Sequence, residues 1–267
     1  MRLKLATWNI NSVRLRADLV GRFLEEEAPD VLCLQETKTE DSLFPLAPFS
    51  ERGYVHSAIA GQKGYHGVAI LSRVPFEAGP RPKFCRRGEA RHVAVALPGG
   101  IELHNFYVPA GGDVPDRALN EKFDHKLHFV DEMRGYFAGR KDRRKARIVL
   151  VGDLNIAPFE HDVWSHKQLL DVVSHTPVEV EAMARLRETL DFVDVARAER
   201  PEPEKLYTWW SYRARDWEAS NRGRRLDHIW VSPPLKDFAG RLRILKAARN
   251  WERPSDHVPV TVELEAG

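Results

Sequence analysis

Polar residues stand at the ends of several apolar segments of this chain. Asn9 closes LKLATWN, Glu36 closes VLCLQE, and Asp153 follows IVLVG. Asp227 opens LDHIWV, and the pair Asp256–His257 opens DHVPVTVEL. A carboxylate at the edge of a buried strand is costly to remove from water without a partner, so this placement is a poor choice for stability alone. Gathered at one edge, these residues would form a site for a hard divalent cation.

The residue types indicate what chemistry such a site could do. Mg²⁺ prefers oxygen ligands and keeps several waters, so Glu36 would suffice as the main protein ligand when a phosphate completes the sphere. Asp153 and Asn155 are two positions apart and point to the same side of an extended segment. One could orient or deprotonate a water while the other donates to a phosphoryl oxygen. A solvated strand-end acid at Glu36 and an Asx turn after Gly-Asp are the alternative interpretations.

The pair Asp256–His257 places a carboxylate beside an imidazole, whose unperturbed pKa lies nearest neutrality. Neighbouring residues of a regular strand face opposite sides, so both can serve one site only if the chain bends at Ser255. Tyr107, at the end of IELHNFYVP, could present a phenol at the same edge. An incidental Asp-His dipeptide and a half-buried packing tyrosine are the alternatives.

The apolar segments predict the elements that must position these side chains. Three of the five polar sites follow their strands and two precede theirs, so they meet only if the late strands run antiparallel to the early ones. The sequence therefore predicts an α/β fold of mixed β-sheets covered by helices, rather than a purely parallel sheet. The predicted strands are 3–9, 31–36, 67–72, 91–97, 101–108, 147–152, 226–231 and 257–264. The predicted helices bury Leu15, Leu19 and Phe23 after an N-cap at Ser12, then Phe123, Leu127, Val130 and Phe137, and finally Val180, Met183, Leu186 and Leu190.

Composition limits the classes of protein to which the chain can belong. Its 267 residues are 43% hydrophobic and 30% charged, with a net charge of +2, so any phosphate-binding surface must be local. Two cysteines do not make a disulfide scaffold, and no apolar stretch approaches the roughly 18 residues of a membrane span. No linker divides the chain. We therefore expect one domain over 1–267, in a monomeric cytoplasmic protein without a membrane partner.

The segment YTWWSYRARDWEASNRGRRLD, at 207–227, interleaves aromatic side chains with arginines just before a site acid. Stacking surfaces beside guanidinium groups suit the bases and the backbone of a nucleic acid. The segment GQKGYHG, at 61–67, lacks the spacing of a dinucleotide-binding fingerprint. The pattern thus favours a nucleic acid over a nucleotide cofactor.

Seven motifs occur in a fixed order along the chain: TWNINSVR, DVLCLQETK, GVAILSR, NFYVPAGG, VGDLNIAP, NRGRRLDHIWVS and PSDHVPV. Together they resemble the exodeoxyribonuclease III family of DNA repair nucleases, within the endonuclease/exonuclease/phosphatase superfamily, over the whole chain. The resemblance implies a four-layer αββα sandwich, in which two mixed β-sheets pack face to face between helices. It also implies a Mg²⁺-dependent hydrolase, with Mn²⁺ as a substitute metal, whose partner is double-stranded DNA with abasic sites or 3′ ends.

The resemblance implies a role for each polar residue at the strand ends. Glu36, with Asn9 beside it, is the principal metal ligand, and Asp153 activates the attacking water or protonates the leaving oxygen. Asn155 stabilises the transition state, and Tyr107 is a phenol near the phosphate. The implied metal ligands are Asn9, Glu36, Asp153, Asn155, Asp256 and His257. The implied catalytic residues are Tyr107, Asp153, Asn155, Asp227 and His257, where Asp227 supports the imidazole that contacts the scissile phosphate and Asp256 is either a ligand or an orienting group.

The substrate pocket departs from the commonest pattern of this family. Trp164 and His166 stand where members that cut at abasic sites often carry small residues, and Arg224 stands where they often carry an apolar one. Trp209 and Trp210 match the aromatic wall of the pocket. We therefore expect His166 to fill part of the space for a flipped abasic sugar and to favour 3′-phosphatase and 3′–5′ exonuclease activity. A fully competent abasic-site endonuclease, a phosphatase or phosphodiesterase with a non-DNA substrate, and an inactive DNA-binding module are the alternatives.

Overall fold

The computed structural model describes residues 2–143 and 145–265. Met1, Arg144 and the last two residues, which the predicted domain 1–267 includes, lie outside the described residues. The strands are, in chain order, β1 (Arg2–Asn9), β2 (Val31–Gln35), β3 (His56–Ala60), β4 (Val68–Ser72), β5 (Glu77–Ala78), β6 (His92–Leu97), β7 (Ile101–Tyr107), β8 (Arg147–Asp153), β9 (Val193–Asp194), β10 (Trp209–Trp210), β11 (Gly223–Arg224), β12 (Asp227–Val231), β13 (Ala239–Ile244) and β14 (Val260–Glu265). The α-helices are α1 (Ala17–Glu27), α2 (Ala47–Ser50), α3 (Glu121–Ala138), α4 (His166–Leu169), α5 (Pro177–Glu188), α6 (Val195–Glu199) and α7 (Trp217–Ser220), and 3₁₀ turns lie at Asp41–Leu43, Glu160–Asp162, Pro233–Phe238 and Lys246–Asn250.

Two six-stranded mixed sheets form the centre of the molecule. The first has the strand order β13-β14-β1-β2-β4-β3, and the second has the order β5-β6-β7-β8-β12-β9. In the first sheet β1 runs parallel to β2 and antiparallel to β14. In the second, β8 runs parallel to β7 and antiparallel to β12. The prediction of mixed sheets with reversed late strands is therefore confirmed.

Three layers of apolar side chains hold together four layers of secondary structure: helices, two sheets and helices. Leu3 and Val31 of the first sheet pack against Leu103 and Val149 of the second. Helices α3 and α5 cover the outer face of the second sheet, and α1 covers the outer face of the first. Because the strands are buried on both faces, their sequences are nearly continuous apolar runs rather than alternating ones. The predicted αββα sandwich is confirmed.

Two predicted boundaries are wrong. The first helix begins at Ala17, after Arg16, and Ser12 does not cap it. The Ser12 amide instead donates to the Glu36 carbonyl, so this segment stays beside the end of β2 before the helix starts, and Leu15 is exposed. The last strand begins at Val260 rather than at 257, because the preceding residues turn into the candidate site.

Helices α3 and α5 were predicted from their buried faces, whereas the strands β3 and β13 and the four two-residue strands were not. Within the described ranges, no helix combines the length and the hydropathy that crossing a bilayer requires.

Candidate active site

The ends of the central strands bring the predicted residues to one edge of the sandwich. Asp153 ends β8 and lies opposite Tyr107 of the parallel strand β7. It also lies opposite Asp227, the first residue of the antiparallel strand β12. This register explains why one acid follows its strand in the sequence while the other precedes its strand. In the first sheet, Asn9 at the end of β1 pairs with Gln35 of the parallel strand β2, and Glu36 follows directly after Gln35.

The backbone around these residues is shaped for the site. Gly152 has φ of +136°, and a Cβ atom there would collide with the carbonyl oxygen of Phe106. Only glycine lets β8 approach β7 closely enough to place Asp153 at this edge. Glu36 and Asn155 occupy the left-handed region at φ of 51° and 53°, which costs free energy for non-glycine residues. Such outliers cluster at functional sites.

The amide of Asn9 joins the two sheets at the site. Its Nδ2 donates to Glu36 Oε1 at 2.9 Å and to Asp153 Oδ2 at 2.8 Å. The amide is fully buried, and the Asn11 backbone amide donates to its oxygen at 3.1 Å. An aspartate at position 9 would present a third carboxylate instead of two donors, so the amide matches the two acids that it bridges.

A buried imidazole lies between two acids of the second sheet. His257 Nδ1 is 2.8 Å from Asp227 Oδ2, and Nε2 is 3.7 Å from Asp153 Oδ2. The chain bends before it, since the His257 amide donates to Ser255 Oγ at 3.2 Å while that hydroxyl donates to the Asn9 carbonyl. The bend expected at Ser255 is present, and it turns the imidazole toward the acids.

Burial and charge together shift the protonation of this cluster. Burial lowers the pKa of His257, but the Asp227 and Asp153 carboxylates outweigh it and raise this pKa to about 10. Burial raises the pKa of the Asp153 carboxyl well above its ordinary value, although the His257 charge opposes it. Tyr107 stays a phenol, because burial and the nearby Glu36 and Asp153 charges raise its pKa. The site therefore holds an imidazolium, a proton-accepting carboxylate and a phenol in one small volume.

The donor set fits a divalent cation. Asp153, Asp227 and His257 offer ligand atoms that lie within 4.8 Å of one another, and the two carboxylates can face a cation while His257 stays protonated. Burial raises the pKa of the Glu36 carboxyl, but the Lys38 ammonium 2.8 Å away, the Asn9 amide and His257 together lower it below its ordinary value. Asp227 Oδ1 is buried without a hydrogen-bond partner. A carboxylate oxygen left unpaired in the interior is costly unless a cation or a donor meets it. The predominance of oxygen donors suits Mg²⁺ or Mn²⁺.

The other predicted residues flank this cluster. Asn155 Nδ2 donates to the Val108 carbonyl at 2.9 Å and to Asp153 Oδ2 at 3.1 Å. Asp256 stands apart from the three-residue cluster: Asn11 donates to its Oδ1 at 3.2 Å and the Trp209 indole donates to its Oδ2 at 2.9 Å. Asp256 is thus held as an acceptor for two donors at the edge of the site.

Sequence reasoning missed several residues of the site. Lys38 pairs with Glu36, Thr208 accepts the Asp227 amide at 3.1 Å, and the Arg91 guanidinium stacks 4.8 Å from the Tyr107 ring. Lys38 lies within the motif DVLCLQETK, so its position two residues after Glu36 was an available signal. Thr208 and Arg91 are distant in sequence from their partners, and nothing local marks them.

A cleft of about 670 Å³ opens beside the cluster. Glu36, Asn155, Asp256 and His257 form its base. Its walls include the predicted pocket residues Trp164, Trp209, Trp210 and Arg224. Within these walls the Arg222 guanidinium lies 4.7 Å from the Trp164 ring, and the Arg224 guanidinium lies 5.3 Å from the Trp209 ring. The predicted aromatic and arginine surface therefore adjoins the candidate catalytic residues.

The position of His166 differs from the expectation. Its Nδ1 is 2.7 Å from Nε2 of His175, whose own Nδ1 lies 2.6 Å from the Ala157 carbonyl. These contacts hold the partly exposed His166 ring against His175, and His166 does not line the cleft. Arg224 lines it instead, donating to the Val173 carbonyl at 2.9 Å and to Ser174 Oγ at 2.7 Å. Of these two predicted pocket residues, Arg224 and not His166 lines the cleft.

Comparison with known proteins places this geometry in a family. Residues 6–257 match the endonuclease/exonuclease/phosphatase family. The chain belongs to this family. It is 31% identical to exodeoxyribonuclease III of Haemophilus influenzae, over 98% of this chain and 100% of that protein. The recognition of the exodeoxyribonuclease III group from sequence motifs is confirmed.

Solved structures agree with this placement. An AP endonuclease from Archaeoglobus fulgidus is 35% identical and superposes with a TM-score of 0.88, over 98% of this chain and 99% of that one. The 3′ phosphatase NExo from Neisseria, solved with a product DNA hairpin, is 31% identical with a TM-score of 0.87, again over 98% and 99% of the two chains. The family is one of hydrolytic, divalent-metal-dependent nucleases, and the predicted enzyme class is confirmed.

Proposed function

We propose that this DNA repair nuclease is a Mg²⁺-dependent enzyme that hydrolyses phosphate esters at DNA 3′ ends. The observation that carries the proposal is the continuity of the Asp153, Asp227 and His257 cluster with a cleft walled by tryptophans and arginines. The similar proteins include an exodeoxyribonuclease III, an AP endonuclease and a 3′ phosphatase. All three reactions break a bond between phosphorus and a 3′ oxygen, so one arrangement of groups can serve each of them.

Glu36 would hold the cation, with Asn9 fixing its carboxylate. When bound, a divalent cation polarises the phosphoryl oxygen and neutralises charge that grows in the transition state. Asn9 donates to Glu36 Oε1 and Lys38 pairs with Oε2, so a cation held by Glu36 would replace the Lys38 ammonium as the partner of this carboxylate. Lys38 would then be free to meet the phosphate.

Asp153 is the proposed general base. As the water oxygen bonds to phosphorus, its proton passes to the Asp153 carboxylate, whose raised pKa suits it to accept one. The bond between phosphorus and the 3′ oxygen breaks, the leaving oxygen takes a proton from solvent water to become a 3′-hydroxyl, and Asp153 then releases its own proton to solvent. His257, charged by its contacts with Asp227 and Asp153, donates to a non-bridging oxygen, and Asn155 adds a second donor there.

The cleft walls support DNA as the substrate. Indole faces at Trp164 and Trp209 offer stacking surfaces, and each carries a guanidinium within contact of its ring. Base stacking on aromatic side chains contributes roughly 1–3 kcal/mol per base and tolerates any sequence. Arg224 reduces the width of the cleft, so a terminal 3′ group fits more readily than a sugar flipped out of a continuous duplex. This supports 3′-end processing as the preferred activity.

One panel of substrates tests the proposal. The purified protein would be given duplexes with a 3′-phosphate, a recessed 3′-hydroxyl or an internal abasic site, in Mg²⁺ or in EDTA. We expect Mg²⁺-dependent release of phosphate and of terminal nucleotides at higher kcat/KM than cleavage at the abasic site. Glu36→Ala should abolish all three activities, while Glu26→Ala on the exposed face of α1 should change none.

Two results would contradict the proposal. Turnover that persists in EDTA, or in Glu36→Ala, would remove the metal and its ligand from the reaction. Cleavage at the abasic site that exceeds both 3′-end activities would instead identify an abasic-site endonuclease with the same chemistry.

A further inference from the structure

A second cluster of metal-ligating side chains lies away from the candidate active site. Cys85, in the segment between β5 and β6, has its Sγ 3.2 Å from Nε2 of His125 on α3. Glu89 Oε2 lies 3.8 Å from the same sulfur. The three ligand atoms all lie within 4.8 Å of one another. Cys85 and His125 are buried, whereas Glu89 is partly exposed, so the cluster is closed on the protein side and open toward solvent.

These separations match the edges of a zinc tetrahedron. With bonds of about 2.0–2.3 Å from zinc to nitrogen, oxygen and sulfur, tetrahedral geometry separates the donors by roughly 3.3–3.8 Å. Of the two separations measured from the sulfur, the 3.8 Å to Glu89 lies at the upper end of this range and the 3.2 Å to His125 lies just below its lower end. We propose that Cys85, His125 and Glu89 bind Zn²⁺, with the fourth position open to water. A thiolate and an imidazole select zinc over Mg²⁺, so this site is chemically distinct from the oxygen-rich one.

The surroundings of the cluster hold its donors in place. The Cys85 amide donates to Glu132 Oε2 at 2.7 Å, and Glu132 lies seven residues after His125 on the same face of α3. The Arg91 Nε donates to Glu89 Oε2 at 2.5 Å, so the guanidinium orients the proposed carboxylate ligand. Groups that fix metal ligands in this way strengthen binding.

The charges around the cluster permit a dication. Two of the three nearby arginines have acidic partners outside the cluster: Arg86 pairs with Asp124 and Arg87 with Glu121. Arg91 pairs with Glu89 itself, so the proposed metal would share this carboxylate with the guanidinium. Relative to the metal-free protein with a neutral thiol, the site gains one positive charge, which the Glu132 carboxylate faces.

Zinc at this position would act on the active-site wall through Arg91. That residue donates to the Tyr107 carbonyl at 3.2 Å and stacks on its ring. The metal would fasten the segment that contains Glu89 to α3, and so stabilise the placement of Arg91 against the phenol. The zinc would therefore stabilise this wall and be separate from the catalytic metal.

Cobalt titration tests the proposal. Co²⁺ would be added to the full-length protein in excess Mg²⁺, and the thiolate-to-cobalt charge-transfer band would be recorded. The active site contains no sulfur, so metal bound there gives no such band. We expect the band in the wild-type protein and in Cys33→Ser, whose thiol is buried within β2, but not in Cys85→Ser. Zinc should also bind at one equivalent per chain and raise the Tm, and both effects should vanish in Cys85→Ser.

A second variant keeps the test decisive if Cys85→Ser does not fold. His125→Gln keeps a polar side chain on α3. In this variant, the charge-transfer band and the zinc-dependent Tm shift should each require a metal concentration at least tenfold higher than in the wild-type protein. A charge-transfer band that is absent from the wild-type protein, or equal in Cys85→Ser, would overturn the proposal. A zinc-dependent Tm shift that survives in both folded variants would overturn it as well.

Discussion

At the scale of single residues, Asp227 has the most specific task in the site. It is buried, and its Oδ2 accepts from Nδ1 of His257, which sets both the orientation and the charge of the imidazole. The amide of an asparagine could reverse this hydrogen bond and stabilise the neutral tautomer that lacks a proton on Nδ1, so the ring would keep its Nε2 proton but lose its positive charge. The charge of the imidazolium would also lose its principal partner.

We therefore predict that Asp227→Asn lowers kcat by about 10²–10⁴, the range known for loss of an imidazole's supporting acid or of a charge-stabilising donor. KM should change little, because the cleft walls are intact. The measurement is steady-state phosphate release from a 3′-phosphate duplex, with circular dichroism to establish folding. A loss smaller than threefold in folded protein would show that His257 does not depend on Asp227.

Arg224 provides the residue-scale prediction for specificity. Its guanidinium lines the cleft beside Trp209, whereas His166 is hydrogen-bonded to His175 and does not line the cleft. Arg224→Ala should raise abasic-site cleavage relative to 3′-phosphate removal by about tenfold, which corresponds to roughly 1.4 kcal/mol of transition-state discrimination. His166→Gly should change the ratio less.

Both ratios come from kcat/KM on the paired duplexes of the substrate panel. A larger change in His166→Gly than in Arg224→Ala would restore the sequence-based expectation that His166 fills the pocket.

At the scale of elements, a buried ion pair connects two helices to the active-site loops. Lys126 of α3 lies 2.5 Å from Glu179 Oε1 of α5, and both side chains are fully buried. The ammonium also donates to the carbonyls of Asn155 at 2.8 Å and Ala110 at 3.2 Å. Glu179 in turn accepts the Ser174 amide at the cleft wall. Helix packing and loop position are therefore linked through one pair.

We predict that Lys126→Met destabilises the fold by about 3–5 kcal/mol, because it leaves the Glu179 carboxylate buried and unpaired. Adding Glu179→Gln removes that charge while keeping an acceptor for the backbone amides, so urea unfolding should show partial recovery of stability. The kcat should stay reduced in the double variant, since the Asn155 carbonyl still lacks its donor. Full recovery of kcat together with stability would assign the pair a purely structural role.

How much of this could be predicted from sequence depends on whether a signal is local. The central strands are continuous apolar runs, and their ends carry the polar residues, so both the mixed sheets and the set around Asp153 could be inferred. The ion pair of Lys126 and Glu179 could not, because neither residue has a local pattern that marks its partner. The strand β5 is two residues long and exposed, so its sequence has no apolar periodicity to detect.

At the scale of the whole molecule, a charged network ties the second sheet to the segments that border the cleft. Arg225, just before β12, donates to Asp162 at 2.8 Å through Nε and Nη2, and to Asp194 Oδ2 at 2.8 Å through Nη2. All three residues are buried. Asp194 also accepts from the Ala196 amide at the start of α6. The network thus connects a 3₁₀ turn, β9, α6 and β12.

Asp194 makes the stability of the molecule depend on pH. Burial alone would raise the pKa of its carboxyl, but the Arg225 guanidinium, together with His228 and the Arg197 backbone amide, lowers it below the ordinary value of 3.8. A carboxyl whose pKa is lower in the folded state stabilises that state above its unfolded pKa, and the contribution is lost as the pH falls through the folded pKa. The free energy of unfolding should therefore decline as the pH falls below about 4.

Asp194→Asn isolates this contribution. Near neutral pH the variant should unfold more easily by about 3–5 kcal/mol, because Arg225 loses one of two buried partners. The free energy of unfolding of the variant should fall less steeply with decreasing pH than that of the wild type, since position 194 no longer titrates. Urea unfolding from pH 7 to pH 3 gives both slopes, and Asp131→Asn on the exposed face of α3 is the matched control. Parallel slopes in Asp194→Asn and wild type would mean that Asp194 does not contribute to acid unfolding.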